Sequence, residues 1–391
     1  MTPAARHAAA IDLLEQILVG DPAEKCLTRW ARGNRYAGSK DRAAIRDLVF
    51  DAIRCQRSYA WLGGAGHQPT ARAVILGSLR AKGQDPALVF TGDKYAPDPL
   101  GPEELAAPGL EDAPRGVQLD CPDWLLPKFD EALGAQCDDV LRLMRQRAPV
   151  FLRVNLRKTD VSTAIEALAR DDIDAQPHPL SPSALEVTRN SRRIAHSAAF
   201  AQGLVELQDA ASQAVVDMVP LSSGMSVLDY CAGGGGKLLA MGAKHDIALT
   251  AHDVDARRMS DIPMRAGRAG LDPVTIAAPG SPGGDYDVVF VDAPCSGSGA
   301  WRRTPQAKWL LDTRRLSELV ALQGDVLQQA AGCCRPSGML VYATCSLFKA
   351  ENDGQVDAFL SDNPEWQERD RRHFTPCDGG DGFFAAVLTR G

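Results

Sequence analysis

The chain contains 391 residues, of which 45% are hydrophobic, and it carries a formal net charge of −7 at pH 7. This length suffices for two or three domains with separate hydrophobic cores, and the negative charge excludes a general nucleic-acid packager coated with positive potential. No stretch approaches the roughly 18 consecutive apolar residues of a membrane span, and the N-terminal segment has no apolar signal-peptide core. We therefore expect a cytoplasmic protein with no membrane partner.

The cysteines and histidines give no sign of a metal site or of a disulfide framework. The ten cysteines include no CxxC pair, and the seven histidines are scattered singly along the chain. Zinc sites and disulfide-rich domains instead show closely spaced cysteines. The sequence therefore predicts free thiols, no bound metal and, if a cofactor is bound, an organic one.

The first part of the chain has the apolar spacing of helices. In segments such as AIDLLEQIL and DRAAIRDLVFDAIR the apolar residues recur every three or four positions, which predicts an all-helical domain over residues 1–94. Proline, glycine and acidic residues then replace this pattern in YAPDPLGPEELAAPGLEDAPRG. That composition indicates a linker over residues 95–117.

Strand and helix patterns alternate in the C-terminal part. The β-rich runs SVLDY, IALTAHD, YDVVFVDAP and MLVYATC are separated by helical stretches such as TRRLSELVALQGDVLQQAAG. This order predicts an α/β fold of Rossmann-like type, with a mostly parallel sheet and helices on both faces. Ligands of such sheets bind at the carboxyl ends of the strands.

A glycine-rich loop, VLDYCAGGGGKLLA at 227–240, follows the first of these strands. Glycines allow close approach of the backbone to a ligand. A Walker A loop would need glycine in place of Cys231 and Ser or Thr in place of Leu238, so a nucleoside triphosphate site is not favoured. A dinucleotide fingerprint would need Gly or Ala in place of Leu238. S-adenosylmethionine remains, because Asp253 lies about twenty residues on, the spacing expected for ribose recognition. The alternative is a flexible turn without a ligand.

Two cysteines occupy the carboxyl ends of predicted neighbouring strands. Cys295 lies in YDVVFVDAPCSGSGAWRRTPQAKW, and Cys345 lies in VYATCSLFKAEN. Each alone is compatible with a buried structural thiol. Because both are expected at the sheet edge that carries the glycine-rich loop, we favour covalent chemistry next to the cofactor.

These motifs resemble those of the RNA cytosine-5 methyltransferases of the NOL1/NOP2/Sun group, over residues 150–391. Further matching segments are QDAASQ at 208–213, FLRVNLRK at 151–158 and DGFFAAVLTR at 381–390. The N-terminal segment SKDRAAIRDLVFDAIR is similar to the NusB-like domain found in a ribosomal RNA methyltransferase of this group. The resemblance implies a NusB-like RNA-binding domain at 1–94, a small RNA-contacting α+β subdomain at 118–200 and a class I methyltransferase domain at 201–391.

The resemblance also implies the roles of the site residues. Cys345 would add to C6 of the cytosine, Asp292 would hold its N3 edge, and Cys295 would take part in release of the product. Lys237 would lie near both cofactor and thiolate, where a cation lowers a cysteine pKa. The implied cofactor-binding residues are Cys231, Ala232, Gly233, Gly234, Gly235, Gly236, Lys237, Asp253 and Asp292.

The implied substrate is RNA with an accessible base, since the target cytosine must leave its stack. We expect ribosomal RNA, 16S rRNA in particular, and a monomeric enzyme, with transfer RNA as the alternative substrate. A non-catalytic RNA-binding or ribosome assembly factor on the same scaffold is a second hypothesis, and a DNA cytosine methyltransferase a third. The presence of Asp292, Cys295 and Cys345 together favours an active enzyme over the non-catalytic factor, and the TCS motif with its RNA-type flanking segments argues against the DNA enzyme.

The sequence departs from the family pattern at the cofactor site. Gly233 and Gly234 replace an Ala-Pro pair, and residues 277–279 include no aspartate where relatives place a carboxylate near the adenine. Pro263 is expected to interrupt the helix that follows Asp253. These departures predict weaker binding of S-adenosylmethionine than in relatives with both carboxylates.

Overall fold

A computed structural model describes residues 1–66, 68–106, 108–271, 273–277, 280 and 282–391. The helices are α1 (Pro3–Leu18), α2 (Ala23–Gly33), α3 (Ser39–Arg54), α4 (Gln56–Leu62), α5 (Ala71–Ala81), α6 (Arg115–Gln118), α7 (Leu126–Leu133), α8 (Cys137–Met144), α9 (Val161–Arg170), α10 (Ala198–Ala201), α11 (Ala210–Asp217), α12 (Gly236–Gly242), α13 (Ile262–Ala269), α14 (Pro305–Leu310), α15 (Thr313–Ala331) and α16 (Asp353–Asp362). The strands are β1 (Val150–Val154), β2 (Asp174–Pro177), β3 (Ala184–Arg189), β4 (Val205–Leu207), β5 (Ser226–Asp229), β6 (Ala248–Ala251), β7 (Thr275–Ile276), β8 (Tyr286–Asp292), β9 (Cys334–Thr344), β10 (Trp366–Phe374) and β11 (Phe383–Arg390).

The chain divides into two compact units, and the first comprises Met1–Arg147 together with Trp301–Leu311. Its core is formed by the apolar faces of α1, α3 and α5, where Leu13, Ile45 and Ile75 are almost fully buried. The described positions of residues 1–94 form helices and turns only, as the apolar spacing predicts. No helix in the described part of the chain is long and apolar enough to cross a membrane.

The segment Trp301–Leu311, which contains α14, belongs to the helical unit although it follows the Cys295 motif in sequence. The Trp309 indole donates a hydrogen bond to the Ile53 carbonyl at 2.7 Å. Lys308 is buried, and its ammonium donates to the carbonyls of Arg54 and Asp120. The helical unit is therefore completed by residues distant in sequence.

The second unit comprises Ala148–Ala300 and Asp312–Gly391 and contains two sheets. The smaller is antiparallel, in the order β2-β3-β1-β4. Among the described residues, the larger has seven strands in the order β10-β11-β9-β8-β5-β6-β7. β8 and β9 are parallel to each other and to β5, β6 and β7, whereas β11 runs antiparallel to β9 and to β10. This confirms the predicted mostly parallel sheet.

Two further predictions concern connections between elements. The helical stretch after Asp253 is divided into a 3-10 helix, Ala256–Met259, and α13, with Pro263 in the first turn of α13, a position that tolerates proline because its missing N–H has no partner there. The division into domains at residues 94, 117 and 200 stays a prediction.

Candidate active site

The glycine-rich loop connects β5 to α12 through backbone conformations that favour glycine. Gly233 and Gly235 have positive φ angles of 50° and 77°, which lie in the left-handed region. A Cβ atom on Gly235 would also approach Cγ1 of Ile262 to 3.0 Å. The loop is thus packed closely against the start of α13.

The loop is held on one side by Asp253, which follows β6. Its buried carboxylate accepts hydrogen bonds from the backbone N–H groups of Gly233 and Asp255, at 2.9 and 3.0 Å. The guanidinium of Arg258 lies 2.9 Å from the same carboxylate. A ribose that bound Asp253 would therefore have to displace or share the contact with Arg258.

Two arginines, for which the sequence predicted no role at the site, lie next to the double glycine Gly233-Gly234. A Cβ atom on Gly233 would come within 3.0 Å of the Arg258 guanidinium, and one on Gly234 within 3.0 Å of that of Arg265. Arg265 also donates a hydrogen bond to the Gly234 carbonyl. The replacement of Ala-Pro by Gly233-Gly234 thus provides space for two cations next to the loop.

The adenine-side carboxylate of relatives is expected at residues 277–279. Ala277 follows β7, and Ala278 and Pro279 lie outside the described residues.

Lys237, in the first turn of α12, forms an ion pair with Asp292 at the end of β8. The distance from Nζ to Oδ2 is 2.6 Å, and the ammonium also lies 4.9 Å from the centre of the Phe383 ring. Burial alone would lower the pKa of Lys237, but the negative charges of Asp292, Cys345 and Asp229 outweigh it and the pKa is raised. The Lys237 ammonium therefore remains charged at neutral pH and acts electrostatically on both Asp292 and the Cys345 sulfur.

Asp229, the last residue of β5, carries an unused acceptor. Its buried Oδ1 has no hydrogen-bond partner among the described residues. Burial, followed by repulsion from Asp292, raises the pKa of Asp229 to about 7. No role for Asp229 is predicted from the sequence, yet its carboxylate is suited to a cationic part of a ligand.

Cys295 and Cys345 come together as the strand arrangement predicts. β8 and β9 are parallel, with Asp292 opposite Ala343, so the loops after these residues emerge side by side and the two sulfur atoms lie 3.4 Å apart. The hydrogen bond to Cys345, together with burial, raises the pKa of Cys295 well above its ordinary value. The thiol of Cys295 therefore stays protonated at neutral pH.

The two cysteine loops are joined by Glu351, a fully buried carboxylate. It accepts a hydrogen bond from the Ser296 backbone N–H at 2.8 Å and further ones from the hydroxyls of Ser296 and Ser346. Gln323 on α15 donates to the same carboxylate at 3.0 Å. The glutamate stands in the quoted segment VYATCSLFKAEN, but the sequence alone gave no reason to assign it a role.

These groups line one pocket of about 1090 Å³ within the second unit. The predicted site residues in its wall are Cys231, Ala232, Gly233, Gly234, Gly236, Lys237, Asp253, Asp292, Cys295 and Cys345. Gly235 caps α12 instead. Among the described residues, no group of three or more His, Cys, Asp or Glu side chains is arranged to hold a metal ion.

The sequence of this unit matches a known family. Residues 218–389 match the family described as 16S rRNA methyltransferase RsmB/F. Residues 121–192 match the ferredoxin-like domain described for RsmF/B-like methyltransferases. The first match includes most of the residues that line the pocket, and the second includes strands β1, β2 and β3 of the antiparallel sheet.

Individual relatives agree with this match. Ribosomal RNA small subunit methyltransferase B of Yersinia pestis is 35% identical over 287 residues, which are 69% of this chain and 66% of that protein. The chain thus spans just under two thirds of the length of that relative. A solved structure named PH0851 is 21% identical, covers 99% of both chains and has a TM-score of 0.76. A methyltransferase homolog protein from Pyrococcus horikoshii is 22% identical, covers 73% of this chain and 100% of its own, and has a TM-score of 0.62. These two structures share the fold, which is the class I methyltransferase fold predicted from the sequence.

Proposed function

This chain belongs to the RsmB/F family of methyltransferases, and on that premise we propose that it methylates C5 of a cytosine in ribosomal RNA. The methyl donor is S-adenosylmethionine, and the reaction proceeds through a covalent bond between Cys345 and C6 of the base. The observation that carries the proposal is the thiol pair, whose sulfur atoms lie 3.4 Å apart in the wall of the pocket that the glycine-rich loop also lines.

The residues of the pocket fit S-adenosylmethionine, which when bound supplies an electrophilic methyl group. A volume of about 1090 Å³ is at the upper end for ligand pockets and accommodates a nucleobase in addition. The free acceptor oxygen of Asp229 suits an amino group, and the carboxylate of Asp253 suits a ribose diol. The double glycine lets the backbone approach the cofactor closely.

Cys345 is the nucleophile in this proposal. A thiolate is the reactive form of cysteine, and the Lys237 ammonium stabilises it, as the influence of Cys345 on the pKa of Lys237 indicates. The Cys345 sulfur forms a bond to C6, and the electron pair of the C5–C6 double bond moves onto C5. C5 then has the electron density that it needs to accept the methyl group.

Asp292 acts at the N3 edge of the cytosine. Its carboxylate is bound to the Lys237 ammonium at 2.6 Å, so the pair carries a proton that can be shared with N3 as negative charge develops on the ring. This contact strengthens in the transition state, where it lowers the barrier to addition.

Cys295 accepts the C5 proton after methyl transfer. Formation of the C6–sulfur bond removes the charge of Cys345, which is one of the causes that raise the pKa of Cys295. Cys295 can then release its own proton to solvent and act as a base towards C5. Loss of the C5 proton re-forms the C5–C6 double bond and expels Cys345 as a thiolate.

The test distinguishes the roles of Cys345 and Cys295 by comparing the RNA products that remain when each cysteine is replaced by alanine. Wild type, Cys345→Ala, Cys295→Ala and the double variant are incubated with labelled 16S rRNA fragments and S-adenosylmethionine and run on a denaturing gel. Cys377→Ala, which removes an exposed cysteine outside the pocket, is the matched control. Cys345→Ala should neither methylate nor trap RNA, because it cannot add to C6. Cys295→Ala should accumulate a denaturant-resistant protein–RNA complex, and the double variant should not.

Two outcomes of the gel experiment contradict the proposal. A trapped complex with Cys345→Ala but not with Cys295→Ala would reverse the two roles, as in DNA cytosine methyltransferases. Unimpaired methylation by both single variants would return both thiols to a structural role. Bisulfite sequencing of ribosomal and transfer RNA from a deletion strain identifies the modified nucleotide. Loss of a 5-methylcytosine from transfer RNA alone would contradict the ribosomal substrate.

A further inference from the structure

The two cysteines of the pocket lie at matched positions beyond two neighbouring strands. Asp292 is opposite Ala343 in the parallel pair β8–β9, and Cys295 and Cys345 follow these residues by three and two positions. The Gly299 backbone N–H donates a hydrogen bond to the Cys345 carbonyl at 2.9 Å. The loop that carries Cys295 is thus bonded directly to the backbone of the other cysteine.

Side chains add further links between the two loops. The buried Ser298 hydroxyl accepts a hydrogen bond from the Leu347 backbone N–H at 2.8 Å and lies 3.1 Å from the Ser346 hydroxyl. Glu351 binds the residues that directly follow the two cysteines. The separation of 3.4 Å between the two sulfur atoms is therefore imposed by packed loops.

Both thiols are accessible to small molecules from the pocket. Cys295 and Cys345 are partly exposed and line the cavity of about 1090 Å³. The buried cysteines of the chain are Cys26, Cys55, Cys121, Cys137, Cys333 and Cys334. Hydrogen peroxide, which is little larger than water, can therefore reach the sulfur atoms of the pair.

The charges around the pair differ between its two members. The charges of Asp292 and Cys345 raise the pKa of Lys237 against the effect of burial, and the ammonium in turn favours a thiolate at Cys345. The thiolate is the form of cysteine that peroxides oxidise. The hydrogen bond to Cys345, together with burial, raises the pKa of Cys295. The pair thus combines one sulfur suited to attack a peroxide with a protonated thiol beside it.

We propose that hydrogen peroxide converts Cys295 and Cys345 into a reversible disulfide, which keeps the enzyme inactive until a dithiol reduces it. In the oxidised protein the Cys345 sulfur is bonded to Cys295 and cannot add to C6 of a cytosine. The consequence for methylation rests on the proposed function, whereas formation of the disulfide does not. The inference therefore assigns a second, regulatory chemistry to the thiols of the pocket.

The oxidation takes place in two steps. The Cys345 thiolate attacks one oxygen of hydrogen peroxide, so that an S–O bond forms, the O–O bond breaks and the departing hydroxide takes up a proton to give water. The Cys295 sulfur then attacks the sulfenic sulfur of Cys345, which forms the S–S bond and releases the sulfenic hydroxyl with the Cys295 proton as a second water. Together the two sulfur atoms lose two electrons, and the peroxide gains them.

Formation of the disulfide requires only a small movement. The sulfur atoms must approach from 3.4 Å to a bond length of about 2.05 Å. Because the loops hold the two thiols together, the second step is intramolecular and fast relative to a reaction between separate molecules. It competes with further oxidation of the sulfenic acid to sulfinic acid, which dithiols do not reduce. Cys295 thus protects Cys345 from irreversible oxidation.

The experiment treats the reduced full-length protein with hydrogen peroxide and maps its cysteines by mass spectrometry without reduction. Wild type should give a peptide pair linked through Cys295 and Cys345, should lose methylation of RNA, and should regain it after dithiothreitol. Cys377→Ala, which removes an exposed cysteine outside the pocket, is the control and should behave as wild type. Cys295→Ser should give no linked pair. Its Cys345 should react with dimedone, which traps sulfenic acids, and should then proceed to a sulfinic acid that dithiothreitol does not reverse.

Alkylation of Cys345 by iodoacetamide gives a readout that does not depend on methylation. Dithiothreitol should restore this alkylation in peroxide-treated wild type and not in Cys295→Ser. Equal recovery in both proteins would overturn the inference, because Cys295 would then have no part in protecting Cys345. Treated wild type without the linked pair, with Cys345 unmodified or present as a sulfinic acid, would overturn it without recourse to any variant. Failure of the reduced wild type to methylate RNA would contradict the proposed function instead, and the peptide map would still decide whether the disulfide forms.

Discussion

Replacement of Glu351 by glutamine tests whether one buried carboxylate holds both catalytic loops. In Glu351→Gln one acceptor oxygen becomes an NH2 group, which would face the hydroxyls of Ser296 and Ser346 or the N–H donors of Ser296 and Gln323. The first orientation is the favourable one, because serine hydroxyls can also accept hydrogen bonds. All four hydrogen bonds then lose the charge of the carboxylate, which weakens each of them by about 1 kcal/mol. Removal of the buried charge offsets part of this loss.

We therefore expect Glu351→Gln to lower the free energy of unfolding by about 2–4 kcal/mol, a large share of the ordinary 5–15 kcal/mol. Urea unfolding measures this change. Glu318→Gln on α15 is the control, because Glu318 is exposed and, among the described residues, pairs only with Arg314 and Arg315. Its effect should stay within about 0.5 kcal/mol.

The same variant should also affect the thiols. A displacement of the cysteine loops by about 1 Å lowers the rate of methyl transfer by about a hundredfold, which single-turnover kinetics would detect. The charge of Glu351 is one of the causes that raise the pKa of Cys295, so its removal should shift the pH profile of Cys295 alkylation to lower pH. Wild-type stability, rate and alkylation profile in Glu351→Gln would refute the reasoning.

Two further predictions concern the carboxylates of the pocket. Asp253→Asn should weaken binding of S-adenosylmethionine by about tenfold to a hundredfold, since one charge-assisted hydrogen bond is lost. Arg258→Gln should tighten this binding by about threefold to tenfold, because it releases the Asp253 carboxylate. Calorimetry measures both affinities, and weaker binding by Arg258→Gln would contradict the competition between Arg258 and the ribose. Burial raises the pKa of Asp229 to about 7, so the stability that its protonated form contributes is fully present below pH 4 and is lost, by up to about 4 kcal/mol, as the pH rises through 7. Asp229→Asn should remove this pH dependence of urea unfolding, and an unchanged pH profile would show that Asp229 is ionised in the folded protein.

The sequence predicted those parts of the site that depend on strand ends. Cys295 and Cys345 each follow an apolar strand, and the carboxyl ends of parallel neighbours meet at one edge of the sheet. The proximity of Lys237 to Asp292 follows from the same arrangement, because each residue comes shortly after a strand of that sheet. The fold class was predictable for the same reason, since alternation of strands and helices restricts the connections to a few.

The parts that the sequence could not predict depend on contacts between distant elements. Arg258 and Arg265 reach the double glycine only because the 3-10 helix and α13 pack beside the loop. Glu351 is an ordinary glutamate in sequence, and its role arises from burial between two loops. The sequence shows that Gly233-Gly234 replaces an Ala-Pro pair, but it does not show that guanidinium groups lie in the space that the missing side chains leave.

Because Trp301–Leu311 belongs to the helical unit, that unit cannot be completed until the segment has been synthesised. When the ribosome has completed Arg147, the helical unit still lacks Lys308 and Trp309, whose hydrogen bonds to Arg54, Asp120 and Ile53 close its interior. At roughly 5–20 residues per second, the missing segment follows about 8–33 seconds later. During this interval the nascent N-terminal helices expose carbonyl groups and apolar surface that only a later part of the same chain can cover. Maturation of this unit is therefore set by translation of the catalytic region, and a pause between codons 147 and 311 should lengthen the period in which chaperones or proteases can engage it.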